Sequence, residues 1–477
     1  MPARRLGKTT DYEPKLVLAS QFFHLMATVS TPASLQVNIS NRQILKLAMP
    51  ISFALLVPQI NFITNNIFLG RLGVEELAAA GITGVYYLIF AAIGFGLNNG
   101  LQALIARRAG ENRPSDIGKL FSQGVRIALL IAALGIVLTY TVAPLIYREV
   151  LAESSREQMV IDFLKIRIWG LPFLFIYQMR NALLVGTNQS KYLLAGTIAE
   201  TVANIFFDYG LIYGKLGMPE LGFNGAAYAS IIAEFTGMMV VYLVIYAKGI
   251  SKRFSLYSGM KYDKANTRLI LVQSSPLILQ HAISVISWEF FYILIEHHGT
   301  RDLAISNTMR NIFGFFGVFT WAFAATANTM VSNIIGQGMQ ERVIELIKKI
   351  AWISFSFILV VFLLLNVVPS LFLSIYGQDR EFITAAIPVM RVVSSALVLM
   401  SFSTVWLNAV VGTGNSRANL IIELITLVMY GSYIYLTLEV FRLSIVIGWM
   451  SEWVYWGCLF GMSYWYIKSG RWKNKKI

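Results

Sequence analysis

The sequence predicts an all-α membrane protein: twelve transmembrane helices in two parallel six-helix repeats, or lobes, around a central cavity. Three observations predict it. Hydrophobic residues make up 56% of the 477 and charged residues only 13%. That charged share is about half the usual one, so a chain this long cannot hide its apolar surface within itself and needs lipid as solvent. Second, the apolar residues fall in continuous runs of roughly 20 or more, unlike the ~10-residue alternating strands of a barrel. Third, two stretches recur at an offset of 226 residues: Val185-Gly186-Thr187-Asn188-Gln189-Ser190-Lys191 answers to Val411-Gly412-Thr413-Gly414-Asn415-Ser416-Arg417, and Gly73 with Leu77-Ala78 answers to Gly299 with Leu303-Ala304.

Each element follows from a run and the polar or Gly-bearing link that ends it. The first span, about 45–69, closes at Gly70-Arg71-Leu72-Gly73, and the second, 77–106, runs into Arg107-Arg108. The third covers 119–146; the fourth, 163–186, stops at the Gly-Thr-Asn link before Lys191. The fifth (192–214) and sixth (223–247) part at Gly214-Lys215. The seventh (269–296) and eighth (303–335) part around Gly299 and Arg301, and the ninth, 350–376, follows a basic 342–349 loop. The tenth (383–411), eleventh (418–438) and twelfth (443–467) are set off by Arg380, Arg417 and Arg442. The chain thus divides into a leader (1–41), an N-lobe (42–247), a linker (248–268), a C-lobe (269–468) and a basic tail (469–477). Six spans per repeat is an even number, so both lobes enter the membrane in the same direction, related by an axis along the membrane normal.

The formal charge of +14 would suggest nucleic acid in a soluble protein. Here it sorts into loops. With the N-terminus inside, 26 of the 39 Lys and Arg fall on the cytoplasmic side, including Arg107 and the 248–268 linker. Nine fall outside (Arg71, Arg148, Arg156, Lys165, Arg167, Lys215, Arg301, Arg380 and Arg442), and Arg126, Arg180, Arg310 and Arg391 lie within spans. That bias places both termini in the cytoplasm and accounts for the charge by topology, with no nucleic-acid partner expected. In the leader, Arg4, Arg5 and Lys8 precede a mildly apolar stretch from Leu16 to Val29, but Asp11, Glu13, Gln21 and His24 argue against a signal peptide. A disordered or interfacial segment is expected, or a true start at Met26. Cys458 is the only cysteine, which excludes an internal disulfide and a Cys-based zinc site.

Ionisable groups at membrane depth cost at least ~2.5–3.5 kcal/mol on insertion scales, which makes each a functional-site candidate. Glu200, Asn204 and Asp208 are spaced four apart in the fifth span and share one helix face; Ser230 and Glu234 repeat that spacing in the sixth. Asn61 and Asn65 lie in the first, Asn65 near the depth of Asp208. Oxygen ligands from several helices around one carboxylate describe a site for Na⁺ or for a bound proton. Hydrogen bonding between helices is the bland alternative. In the C-lobe, His281 and Glu289 lie eight apart, with Ser284 and Ser287 between them, and Glu423 and Glu452 follow in the last two spans. Glu289 is a second coupling or substrate-binding acid, or else a partner for Arg310. Arg126 and Arg180 are expected to snorkel, and Trp321 and Trp406 are candidates to line a cavity for flat cations. Walker A and GxGxxG-after-strand motifs are absent, and His297-His298 has no zinc spacing. No enzyme activity or cofactor is expected, leaving an ion gradient as the energy source.

These residues resemble the multidrug and toxic compound extrusion (MATE) family of cation-coupled antiporters over about residues 42–467. The likeness is carried by Ile44-Leu45-Lys46-Leu47-Ala48-Met49-Pro50, Ile67-Phe68-Leu69-Gly70-Arg71-Leu72-Gly73 with Leu77-Ala78-Ala79, Asn204 to Gly214, Leu221 to Ser230, the paired Val-Gly-Thr links, and Asn333-Ile334-Ile335-Gly336-Gln337-Gly338. The resemblance implies a two-lobe efflux pump that rocks to expel organic cations or amphipathic compounds in exchange for H⁺ or Na⁺, working in a bacterial inner membrane as a monomer among membrane lipids. It implies a cation site at Asn204, Asp208 and Ser230, with Asn65 standing where the family has a first-span Asp. Losing a carboxylate weakens a hard-cation site, so any Na⁺ would rest on Asp208 and Asn204. Proton coupling through Asp208, with Glu200 or Glu234, is the better expectation. Glu289 lies about a turn from where some members carry a seventh-span acid. The alternatives are a flippase for lipids or lipid-linked oligosaccharides, for which only Arg310 and Arg391 could serve anionic head groups, and a membrane-embedded enzyme or receptor.

Overall fold

The structure, a computed structural model, describes residues 34–150, 154–256, 261–375 and 379–475. The expected leader up to residue 33, with its basic cluster and Met26, lies outside the described residues. Among those described, every regular secondary-structure element is a helix.

Twelve membrane passes follow the expected order. The first is Asn41–Gly70, opened by Ser40, whose hydroxyl accepts from the Gln43 amide; an N-cap of this kind satisfies one of the helix's orphan donors. The second (Val74–Gly110) and eighth (Thr300–Gly336) are both 37 residues long and start 226 apart, so the repeat holds in three dimensions. The third is Pro114–Thr141, with proline at its first turn. The fourth is compound: Ser154–Arg167, a 3₁₀ turn Ile168–Gly170, and Leu171–Gly186. The fifth and sixth are Leu193–Tyr213 and Gly222–Ala247. The seventh, Lys264–Glu296, is capped by Asp263, and the tenth, Arg380–Gly412, by Asp379. The ninth, Val343–Val367, stops short of residue 376 because Pro369 cannot continue it and begins a separate short helix. The eleventh runs Ser416–Ile434 into a π-helical turn, and the twelfth is Ser451–Lys468.

Eight of these are long and apolar enough to cross a membrane on their own. Polar residues stand inside the bundle on four spans: Asn65 on the first, Arg167 on the fourth, Asp208 on the fifth and Glu452 on the twelfth. Polar groups there reduce hydropathy where the neighbouring helices supply partners.

Two large cores divide the lobes. One joins Leu97, Leu104, Phe121, Leu171, Phe175 and Met179 of the N-lobe. The other joins Phe291, Phe323, Ile347, Leu397 and Trp449 of the C-lobe, and it also takes Ile44, Leu47 and Ala48 from the start of the first span. The linker is no loose tether. Phe254 and Leu256 are buried, Ser122 Oγ donates to the Leu256 carbonyl at 2.8 Å, and Gln123 Nε2 to that of Lys261 at 2.8 Å.

Among the described residues, the lobe-to-lobe hydrogen bonds and close backbone approaches fall toward the basic loops. Ile278 passes so close to the second span that a Cβ on Gly96 would come within 2.6 Å of its backbone. Gln102 Nε2 donates to the Ala325 carbonyl (3.0 Å) and Thr329 Oγ1 (2.8 Å), Asn328 Nδ2 to the Asn99 carbonyl (3.1 Å), and Ser332 Oγ to that of Ala103 (2.6 Å). Arg107, expected in a loop, lies buried at the end of the second span instead. Its guanidinium donates to the carbonyls of Ser332 (3.0 Å), Gly412 (3.3 Å) and Thr413 (3.3 Å). Following the same helix face toward the other side, Val85 and Leu88 are exposed and Gly81 has open space around it. On the eighth span Trp321 and Phe315 are exposed and Gly314 faces open space. The cleft is therefore shut at the basic face and open at the opposite one.

Candidate functional site

The fifth and sixth spans pack along each other, and the first span lies along the fifth. This brings together the elements carrying Asn65, Glu200, Asn204, Asp208, Ser230 and Glu234. Close packing is possible because small residues sit at the crossings: a Cβ on Gly225 would approach the Leu211 carbonyl to 2.5 Å, and one on Gly237 would come 3.1 Å from Glu200 Oε2.

Asp208 is fully buried, and neither of its carboxylate oxygens has a hydrogen-bond partner. Asn204, one turn away, is also buried. The side-chain oxygens of Asn61, Asn65, Thr201 and Asn224, on the same three spans, are likewise buried and unpartnered. An unpaired ionised carboxylate in such a place costs several kcal/mol, and each unmet neutral polar group about 1–3 kcal/mol. None of these oxygens receives a hydrogen bond, and around the Asp208 carboxylate that suits something positively charged or a proton. Among the described residues no group of three metal-ligating His, Cys or acidic side chains forms.

Glu234 has a different fate. Arg167 grips it with two hydrogen bonds, of 2.6 and 3.0 Å, and the Tyr87 hydroxyl donates to both its oxygens at 3.1 and 3.2 Å. The guanidinium lies 3.7 Å from the Tyr87 ring centroid, within cation–π range. Glu234 is thus a structural ion pair, whereas Glu200 is half-buried beside Gly237 with no such partner. Arg167 was expected on the outer face. It lies inside because the fourth span starts at Ser154, well before residue 163. That run already contained Arg167, which was the available signal; Tyr87 carried none. Ser230 is half-buried on the sixth span.

In the C-lobe the expected Glu289 and His281 do not share a site. Glu289 lies 4.0 Å from Arg310, and both are about 40% exposed on the open side of the cleft. Arg310 stacks 5.2 Å from both the Trp288 and Tyr292 rings. His281 Nε2 faces Asn99 Nδ2 across the lobe boundary at 3.4 Å. Glu423 and Glu452 are both buried; Glu423 accepts from Tyr455 (2.5 Å), Ser284 (2.8 Å) and Gln280 (3.1 Å), while Asn419 donates to Gln280. Glu452 accepts from Trp456 Nε1 at 2.8 Å. Trp406 packs on Phe460 and Tyr464 in the C-lobe core, while Trp321 stands exposed on the cleft face. Arg180 donates to the Met238 carbonyl rather than reaching a loop.

The MatE family model matches residues 50–210 and again 276–435, two blocks that begin 226 residues apart. A probable multidrug resistance protein NorM of Thermotoga maritima is 22% identical over 388 residues, 81% of this chain and 83% of the relative. Another, of Synechocystis sp., is 29% identical over 205 residues, 43% of this chain and 44% of the relative. Among solved structures, a multidrug resistance MATE family transporter of the MOP superfamily in an outward-facing conformation superposes with a TM-score of 0.84 at 19% identity, over 93% of this chain and 99% of that one. A MOP superfamily transporter from Pyrococcus furiosus gives 0.82 at 18% identity, over 94% and 100%.

Proposed function

The chain belongs to the MatE family of multidrug efflux transporters, and from that premise we propose that it is a secondary antiporter of the bacterial inner membrane. It exports small organic cations or amphipathic compounds through the cleft between the lobes in exchange for protons. The basic face is the cytoplasmic one, by the excess of Lys and Arg in its loops.

The observation that supports proton coupling best is Asp208, buried with both oxygens unpartnered beside Asn204 and spans bearing further unmet acceptors. Asn65 supplies a neutral oxygen where a second carboxylate would be needed to hold Na⁺ strongly. Asp208 alternates between carrying a proton and releasing it, and Glu200 is the next acid along the same face, on the cytoplasmic side. Glu234, held by Arg167, keeps the fourth and sixth spans in register. Charged side chains on the open cleft face include one of each sign, Arg310 and Glu289, rather than the basic lining an anionic lipid head group would need.

The test is flux of a fluorescent organic cation in proteoliposomes, with pH and Na⁺ gradients imposed separately. The pH gradient alone should drive wild-type transport, and Asp208→Asn should lower the rate at least 100-fold at unchanged protein incorporation. Transport driven by Na⁺ alone, or wild-type rates in the variant, would sink the coupling role.

A further inference from the structure

The strongest unexplained feature is the segment ahead of the first span. Residues 34–40, the end of the expected leader, belong to the folded body. They run Ser-Leu-Gln-Val-Asn-Ile-Ser, and burial alternates along them: Leu35 and Val37 are buried, while Ser34, Gln36 and Asn38 are exposed. Alternation with a period of two is the mark of extended chain with one face covered. What covers it differs from residue to residue. Leu35 enters the N-lobe core and Val37 enters the C-lobe core.

The backbone of this strap is read by side chains from motifs at the basic face. Asn333, fully buried, accepts from the Val37 amide at 3.1 Å and donates to the Leu35 carbonyl at 2.8 Å. One side-chain amide thereby does what a neighbouring strand would do, meeting both polar groups of an extended chain. Gln337 donates to the Val37 carbonyl at 3.0 Å and to Asn333 Oδ1 at 2.8 Å, which fixes the orientation of the Asn333 amide. Lys349 Nζ lies 3.4 Å from the Ile39 carbonyl. These are all C-lobe groups. From the N-lobe, the Gly110 carbonyl accepts from Gln36 Nε2 at 2.9 Å, and Asn188 reaches the Ser34 carbonyl at 3.4 Å while accepting from Gln43 at 2.7 Å. The Asn333-to-Gly338 motif and the first Val-Gly-Thr-Asn link thus supply sockets for the strap.

We infer that residues 34–40 form a releasable latch that holds the two lobes together at the basic face, with Asn333 and Gln337 as its C-lobe socket. The strap is continuous with the first span. The first span packs along the fifth and moves with the N-lobe, so when the lobes part Val37 leaves the C-lobe core together with Ile44, Leu47 and Ala48 of that span, while the strap's backbone gives up Asn333. Opening of the basic face and unseating of the strap are one event. This rests on the antiport reading, which requires the lobes to rock apart at the basic face, so the experiment reads the strap and the seam separately.

In a Cys458→Ser background, Val37→Cys reports the strap and Ser332→Cys the seam. Each is labelled by a maleimide added to the basic face of membrane vesicles. In the closed state both sites label slowly, and both label faster during turnover. Adding Asn333→Ala should raise the Val37→Cys labelling rate at least tenfold without turnover, and the Ser332→Cys rate at least threefold. Leu35→Ala/Val37→Ala leaves every socket residue in place; read through Ser332→Cys, it should give the same rise even if Asn333→Ala fails to reach the membrane. The latch is overturned if Ser332→Cys labels during turnover while Val37→Cys stays protected, or if these substitutions leave seam labelling unchanged. If turnover never exposes Ser332→Cys in the otherwise unaltered protein, the rocking motion fails instead.

Discussion

At the residue scale, the N-lobe holds two acids of opposite character within one pair of helices. Asp208 has no donor; Glu234 has three donor atoms, two of them on the Arg167 cation. Removing one partner of a buried ion pair costs about 3–5 kcal/mol, because the other charge is left uncompensated, while replacing both is close to neutral. Arg167→Met should therefore lower the thermal unfolding midpoint in detergent sharply, and Arg167→Met/Glu234→Met should recover most of the loss. A double variant as unstable as the single one would show that the pair is not the cause. Asp208 was legible in the sequence because a carboxylate in an apolar run has no bland surface explanation. Arg167 was not, since a basic residue near the edge of a run reads as loop, and only the longer fourth span takes it inside. Nothing in Leu35 or Val37 announced their sockets, which lie almost 300 residues away at Asn333.

At the element scale, span positions were legible from apolar runs and their breaks, but the close crossing of the second and seventh spans was not. It depends on Gly96 and Gly100, where a Cβ would come within 2.6 Å of Ile278 Cα and 2.9 Å of Ser274 Cα. Gly96→Leu overpacks that crossing by about 1–3 kcal/mol, against the arrangement closed at the basic face. Labelling of a cysteine at Ser274 from that face should rise at least fivefold. The start of the seventh span offers a second check. Asp263 accepts from the Ala265 and Asn266 amides, and the hydrogen bond from the Asn266 amide is the main reason its carboxyl is held below the ordinary aspartate value. Its contribution is present above the unfolded value and is lost as pH falls through the lower folded one. Asp263→Ala should cost about 1 kcal/mol at neutral pH. The gap between variant and parent in a detergent unfolding series should close as the pH drops below ~4.

At the scale of the whole molecule, the repeat read from two short matches extends to helix lengths, to lobes and to the double match of the family model. The repeat gives two similar lobes, yet among the described residues the hydrogen bonds between them cluster toward the basic face. A cysteine at Val85 should therefore label with a membrane-impermeant reagent from the face opposite the basic loops, and one at Ala103 should not; equal labelling of the two would contradict the one-sided seal. Arg107 gives that seal an unusual mutational profile. Its acceptors are three backbone carbonyls, and among the described residues it has no carboxylate partner. A carbonyl persists whatever side chain its residue carries, so exchanges at Ser332 or Thr413 can alter volume but cannot delete an acceptor. Only a change in the codon for Arg107 itself can delete the donor, whereas at its partners substitution acts through other contacts: Ser332 Oγ donates to the Ala103 carbonyl, and a Cβ on Gly412 would come within 2.7 Å of the Asn328 carbonyl.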